Sequence, residues 1–342
     1  MSRRSLGLLL LLAAFSAALA LRYLAGSSGF GAPHPSVERY RLDSGLAATA
    51  AGVALAMAGL FLQVLLRNPL ASPFVLGLSS GAGFGYMFAL YLGWLGWLGW
   101  LGISSESGVG AAASALGLTT PVLFATLGAF LTLGIVWRIG VRRGAVDPLA
   151  LVLAGVIVGS IFSAGSAALQ SLVPAGLRGD FVLWMMGRVP EAPPQRLLLV
   201  VSALAVTGAG LGIALGRSLD AACLSDDEAR SVGVPLGWLR VTLFLAAGIL
   251  TAATVSLTGP IAFVGLVAPH AARLLVGPRH ATLALGSALA GAALLLAADS
   301  ARQLLEIGGG RLPVGVLTAV IGGPVFLLLL RRAPILRQQG AT

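Results

Sequence analysis

The sequence predicts an all-α polytopic membrane protein with about ten transmembrane helices. Three observations predict it. Of 342 residues, 57% are hydrophobic and 10% charged, whereas soluble domains are about a quarter charged. Mean hydropathy is +0.95. Apolar segments of spanning or near-spanning length recur along the whole chain, at about 5–25, 43–66, 80–101, 118–139, 149–172, 197–215, 239–257, 260–274, 281–303 and 313–330.

Each segment has a local reason. The first follows Arg3 and Arg4, and its Ala18-Leu19-Ala20 also fits a cleaved signal peptide. Extended to Leu24, the run is long enough to span about 30 Å, so an uncleaved first helix is preferred. The segment at 260–274 is short and contains Pro269, so it is expected to cross only part of the bilayer, with neighbours satisfying its backbone. No soluble domain of useful size interrupts the series, so residues 1–342 read as one membrane domain.

Charge orients the chain. With the N-terminus cytoplasmic, 14 of the 22 basic residues fall on that side, which favours N-in, C-in topology. The net charge of +10 sits in short loops between spans, so nucleic-acid binding is not indicated.

All 22 basic residues are arginine. Without lysine there is no GxxxxGK phosphate loop and no Schiff base, so the usual ATPase machinery is absent from this chain. The lone Cys223 excludes an internal disulfide, and His34, His270 and His280 lack metal-ligand spacing. Neither a metal site nor a bound cofactor is expected here.

Residues 220–240 form a polar island. Ser225 and Glu228 have capping-box spacing, Asp226 and Asp227 add negative charge to the first turn, and Gly233 reads as the stop. A helix over about 226–232 is too short to stand alone in water and needs a packing partner. Pro235 predicts a second short helix leading to Trp238 and Arg240. A solvated loop and a docking handle for a soluble partner both fit.

The opposite side offers loops at 26–42, 103–116, 173–196 and 306–311. Trp94, Trp97 and Trp100 recur at every third position, as expected for an interfacial aromatic belt against lipid. Residues 179–188, flanked by prolines, predict a short lateral helix that either lines a pathway or covers the membrane surface.

Three ordered blocks carry a family resemblance. The first runs AGLFLQVLLRNPLASP from Ala58 to Pro73 and continues LGLSSGAG from Leu76 to Gly83. The second is GPIAFVGLVAPHAAR from Gly259 to Arg273, and the third LPVGVLTAVIGGPVF from Leu312 to Phe326. Together they resemble the FecCD permeases of type II ABC importers, which take up iron-siderophores, haem and cobalamin. The resemblance covers about residues 40–332.

It implies a homodimeric permease with two cytoplasmic ATPase subunits, where ATP and Mg bind, and a periplasmic substrate-binding protein. The island resembles the family's coupling segment, which favours the docking reading. It puts polar contacts on Asp226, Asp227, Glu228 and Arg230, apolar anchors on Leu224 and Val232, and the stop on Gly233. Binding-protein docking falls to outer arginines. Arg41 matches the family position, Ser44 stands where a second arginine is usual, and Arg39, Arg302 and Arg311 are the other candidates. The turn at Val146, Asp147 and Pro148 is implied to lie near an inner gate, although Asp-Pro punctuation alone explains a turn.

Two other classes fit poorly. An ion-coupled secondary transporter would place ionisable groups deep in its spans, where only Asp299, toward the end of the ninth, qualifies. An intramembrane enzyme would need an HExxH pattern or paired intramembrane aspartates, neither of which occurs. By resemblance the cargo is a metal chelate, with ferric siderophore ahead of haem or cobalamin.

Overall fold

The structure, a computed structural model, describes residues 3–26, 29–100, 108–142, 145–307 and 310–332. Its helices are α1 (Arg3–Leu24), α2 (Pro35–Leu65), α3 (Leu78–Trp94), α4 (Trp97–Trp100), α5 (Gly108–Ala115), α6 (Thr120–Gly140), α7 (Pro148–Leu172) and α8 (Ala175–Met185). They continue as α9 (Gln195–Ala214), α10 (Gly216–Ala222), α11 (Asp226–Ser231), α12 (Leu236–Thr258), α13 (Val264–Val276), α14 (His280–Leu304) and α15 (Val314–Arg332). Three two-residue antiparallel hairpins close loops, pairing Ala25–Gly26 with Gly29–Phe30, Val141–Arg142 with Ala145–Val146, and Glu306–Ile307 with Gly310–Arg311.

All ten expected segments are helical, and seven helices are long and apolar enough to cross a membrane. The chain is a multi-pass membrane protein. Its centre is α2, buried almost without interruption from Ser44 to Leu65 and surrounded by α9, α12, α13 and α14. Lipid tails are as apolar as leucine, so helices associate here through close backbone approach. A Cβ on Gly59 would lie 1.7 Å from the Gly265 carbonyl oxygen, and one on Gly52 2.4 Å from that of Gly291. The first two motif blocks are thereby in direct contact.

The boundaries moved at four places. The third span ends at Trp94, and Gly96, at φ +74°, separates it from the single turn of α4. Trp94 and Trp97 are exposed, in keeping with a lipid-facing belt. The lateral helix lies earlier than expected, at Ala175–Met185. No separate short helix follows Pro235, because that proline caps the long α12 directly. In α13 the first residues of the expected segment are not helical. Gly259 and Phe263 take positive φ, and the helix starts at Val264. At about 1.5 Å per residue its 13 residues cover about 20 Å, less than the hydrocarbon core. That length suits the expected partial crossing, and Pro269 lies inside the helix.

Gly187, Gly259 and Gly315 draw three regions together. Arg188 N–H donates to the Thr258 carbonyl at 2.7 Å, and Gly315 N–H to that of Gly187 at 3.3 Å. A Cβ on Gly187 would reach within 2.2 Å of the Pro260 carbonyl oxygen. The chain after α8 is therefore pinned to the second and third motif blocks, while Trp184 stacks on Tyr86 of α3 with ring centroids 4.3 Å apart. Helix α8 is held through Phe181 and Trp184, while most of its other residues are exposed.

Candidate functional site

The island is built as its local chemistry dictates. Ser225 Oγ accepts from the Glu228 N–H at 3.3 Å, and Glu228 Oε2 accepts from the Ser225 N–H at 3.0 Å and hydroxyl at 2.7 Å. These bonds close the capping box. They also hold the Glu228 carboxyl below the usual carboxylate range, the side-chain bond contributing most. Gly233, at φ +81°, lets the chain turn back, and Val234 N–H reaches the Ala229 carbonyl.

Asp226 fixes this helix to the bundle. Arg240, at the start of α12, grips the carboxylate at 2.8 and 2.9 Å, and Arg67, just beyond α2, reaches it at 2.7 Å. Burial pushes this carboxyl up, but the two guanidiniums together outweigh it and hold the group low. Arg67 also donates to the Ala222 carbonyl at 2.9 Å. It does so from a left-handed backbone, φ +47°, which costs a non-glycine residue about 1–2 kcal/mol. One side of α11 is thus anchored, through buried Ala229 and Asp226, to the ends of two core helices. The other side is free. Asp227, Glu228 and Arg230 are exposed, and Leu224, Val232 and Trp238 present apolar surface to solvent.

The face at the other end of α2 is organised around arginine too. Arg41 turns inward, where one guanidinium nitrogen donates to the carbonyls of Tyr23, Leu24 and Gly31 at 2.9–3.0 Å. It clamps the loop after α1 and is not a free docking charge. Arg302 is also committed, at 3.0 Å from Asp299. Arg311 contacts Glu191 at 3.3 Å and Gln303 at 2.9 Å. Arg39 projects outward, 80% exposed, with Asp43 3.7 Å away. These inward contacts share one cause. A guanidinium beside unpaired carbonyls or a buried carboxylate satisfies them first.

Sequence reasoning overlooked the cluster behind this face. Arg22 of α1 donates to Asp299 of α14 and, at 2.7 Å, to the Ser44 hydroxyl of α2. Arg22 and Asp299 are 2% and 0% exposed. Ser44, where the related pattern has arginine, accommodates an arginine arriving from another helix. A lone arginine in one span and a lone aspartate in another was the available signal. A cavity of about 630 Å³ opens beside the cluster, with Arg22, Arg41, His34, Tyr40, Glu191 and Gln303 on its walls.

At the proposed gate turn, Asp147 caps α7 by accepting from the N–H groups of Leu149 at 3.0 Å and Ala150 at 3.3 Å, with Pro148 in the first turn. Val146 is buried in the core of its own subunit. The turn's tip, residues 143–144, lies outside the described residues, as do residues 103–107 of the 103–116 loop.

Fold and site together define a helical membrane protein with an anchored, solvent-facing helix at one end of its central span. Residues 6–332 match the model of the FecCD transport family. The chain is 36% identical over 295 residues to the vitamin B12 import system permease protein BtuC of Klebsiella pneumoniae, covering 86% of this chain and 81% of that protein. It is 32% identical over 303 residues to the Fe(3+) dicitrate transport system permease protein FecC of Escherichia coli, covering 88% and 84%. A solved inward-facing structure assigned to the metal-chelate type of ABC transporter superposes with a TM-score of 0.77 at 28% identity, covering 97% of this chain and all of that one. The chain belongs to the FecCD transport family.

Proposed function

We propose that this chain is the permease subunit of an ATP-driven importer that carries a metal chelate, ferric siderophore first, across a bacterial inner membrane. Two copies form the pathway, with both termini cytoplasmic. Two ATPase subunits bind ATP and Mg and dock on the face bearing residues 220–240. A periplasmic substrate-binding protein docks on the opposite face. Haem and cobalamin are the alternative cargoes; the two relatives, named for vitamin B12 and ferric dicitrate, support a metal chelate as the class.

The observation that carries this reading is the double anchoring of α11. Force applied to its exposed surface passes through Asp226 to Arg67 and Arg240, and so to α2 and α12. Leu224, Val232 and Trp238 supply the apolar contacts a protein partner needs at the centre of an interface, and Glu228 and Arg230 a polar rim. Transport in this chain is mechanical. Nucleotide state and pathway state are coupled through the seat of α11, and each biases the other equally.

The row Leu149, Leu153, Val156, Ile157 and Ile161 on α7 is exposed and apolar, which suits a second copy across the pathway. The inner gate in this reading lies at Val146, Asp147 and Pro148, and the capped start of that helix, which gives the turn a fixed geometry, supports it.

Proteoliposomes holding permease and ATPase, with binding protein and radiolabelled ferric siderophore outside, test the reading. Uptake is expected to require ATP inside. Charge reversal at both Glu228 and Arg230 is expected to leave ATPase activity and abolish most uptake. Uptake driven by an ion gradient without the ATPase would refute the proposal, and transport of haem or cobalamin alone would correct the cargo.

A further inference from the structure

Between the end of α2 and the chain entering α11 lies a second, smaller cavity of about 130 Å³, walled by Gln63, Val64, Arg67, Cys223, Arg273 and His280. Three polar atoms on those walls are buried without a hydrogen-bond partner: Gln63 Nε2, Arg273 Nε and His280 Nε2. Gln63 is 4% exposed and His280 5%. They come from three different helices, α2, α13 and α14. Buried polar groups are normally satisfied, so three orphans around one void mark a place where something polar binds.

Charge narrows the choice. Arg67 is balanced by Asp226, and His280 by Asp220, whose carboxylate lies 2.7 Å from the His280 Nδ1 and also accepts its backbone N–H at 2.9 Å. Arg273 has no acidic partner among the described residues. The cavity therefore holds an uncompensated positive charge, which repels a metal cation and attracts an anion. Arg273 Nε–H and Gln63 Nε2–H are donors. With its Nδ1–H turned to Asp220, His280 offers Nε2 as an acceptor. A ligand with several acceptor oxygens and one hydroxyl matches all three.

We propose that this cavity is an oxyanion site that takes a phosphate group, held by Arg273, Gln63 and His280 beneath the anchored surface helix. Its volume equals about four waters at about 30 Å³ each, too small for a nucleotide. An occupied site bridges α2, α13, α14 and the Cys223 segment, and so stiffens the seat of α11. Phosphate in solution and the headgroup of a phospholipid supply the same chemistry.

The test uses the full chain in nanodiscs of zwitterionic phosphatidylcholine, titrated with inorganic phosphate against chloride at equal ionic strength and read by thermal unfolding. Phosphate is expected to raise the unfolding temperature saturably, and chloride not. Arg273→Gln is expected to weaken the apparent phosphate affinity by about tenfold or more, the loss of one charge-assisted contact. Gln63→Glu brings its own carboxylate to Arg273. It is expected to unfold no lower than the parent chain and to ignore phosphate, so it decides the matter even if Arg273→Gln fails to fold. If the ligand is a headgroup, phosphatidylglycerol nanodiscs raise the temperature instead, and native mass spectrometry shows a retained lipid that Gln63→Glu loses. No response to either source, or an equal response in Gln63→Glu, would mean that the cavity holds water only and overturn the proposal.

Discussion

Asp226 and Asp299 are each gripped by two arginines, at opposite ends of the bundle, and the grips do different work. Asp226 is 35% exposed, and its partners Arg67 and Arg240 are 36% and 18% exposed. Water screens such pairs, so each adds about 0–1 kcal/mol. Asp299 is fully buried between Arg22 and Arg302, at 2% and 11%. There the attraction only offsets the desolvation of the charges, yet removing one partner strands the others. The exposed cluster can be remade as a partner pushes on it. The buried one fixes α1 against α14 and resists change.

The sharpest way to break this contrast is at Asp299. Asp299→Ala is expected to destabilise the protein by about 3–5 kcal/mol, whereas replacing Arg22, Asp299 and Arg302 together by leucine recovers most of that loss. Denaturant unfolding in detergent measures both. An equally mild single mutant would remove the distinction. Asp226→Ala is next, expected to cost about 1 kcal/mol while uncoupling ATP hydrolysis from uptake. Full uptake in that variant would show that α11 does not carry the load through this residue.

Ser225→Ala removes the cap and is expected to cost about 1 kcal/mol within α11, seen as faster hydrogen exchange at the first-turn amides without global unfolding. Acid sharpens the same point. Asp226 and Glu228 are held below their ordinary values of 3.8 and 4.5. The stability they contribute is therefore present above that range and lost as the pH falls through their lowered values. Exchange protection at residues 225–233 should be flat between about pH 6 and 8 and decline below about pH 4. The smallest structural effect is expected at Arg39→Glu, which leaves the unfolding temperature unchanged but weakens binding-protein docking at low salt, a difference that fades as salt screens it. Docking unchanged at low salt would move the contact to other residues.

The contrast also explains what could be read in advance. The capping box, Gly233 and the outward residues of α11 were legible, because their partners lie within a few positions and backbone chemistry decides them. The partners of Asp226 were not, since Arg67 and Arg240 reach it from separate helices. The Arg22–Asp299 pair, 277 residues apart, was invisible to any local pattern. The partners of Arg41 were hidden for the same reason. Its position suggested an outward charge, but the carbonyls it satisfies belong to a loop whose path only the fold reveals. The ten helical segments were legible from hydropathy, whereas their ends at Trp94, Met185 and Phe263 depend on turn glycines and on backbone contacts between motifs.

Helix α2 touches both aspartate clusters. Its 31 residues make a rod about 46 Å long, with Ser44 beside Arg22 about a third of the way along and Arg67 at Asp226 just past the far end. A tilt of about 5° about its midpoint carries each end about 2 Å in opposite directions, more than the difference between a made and a broken hydrogen bond. A rod of that kind has lever kinematics. Whatever shifts the surface helix by one bond length reaches the far surface at the same amplitude with reversed sign, and needs no relay of side chains between them.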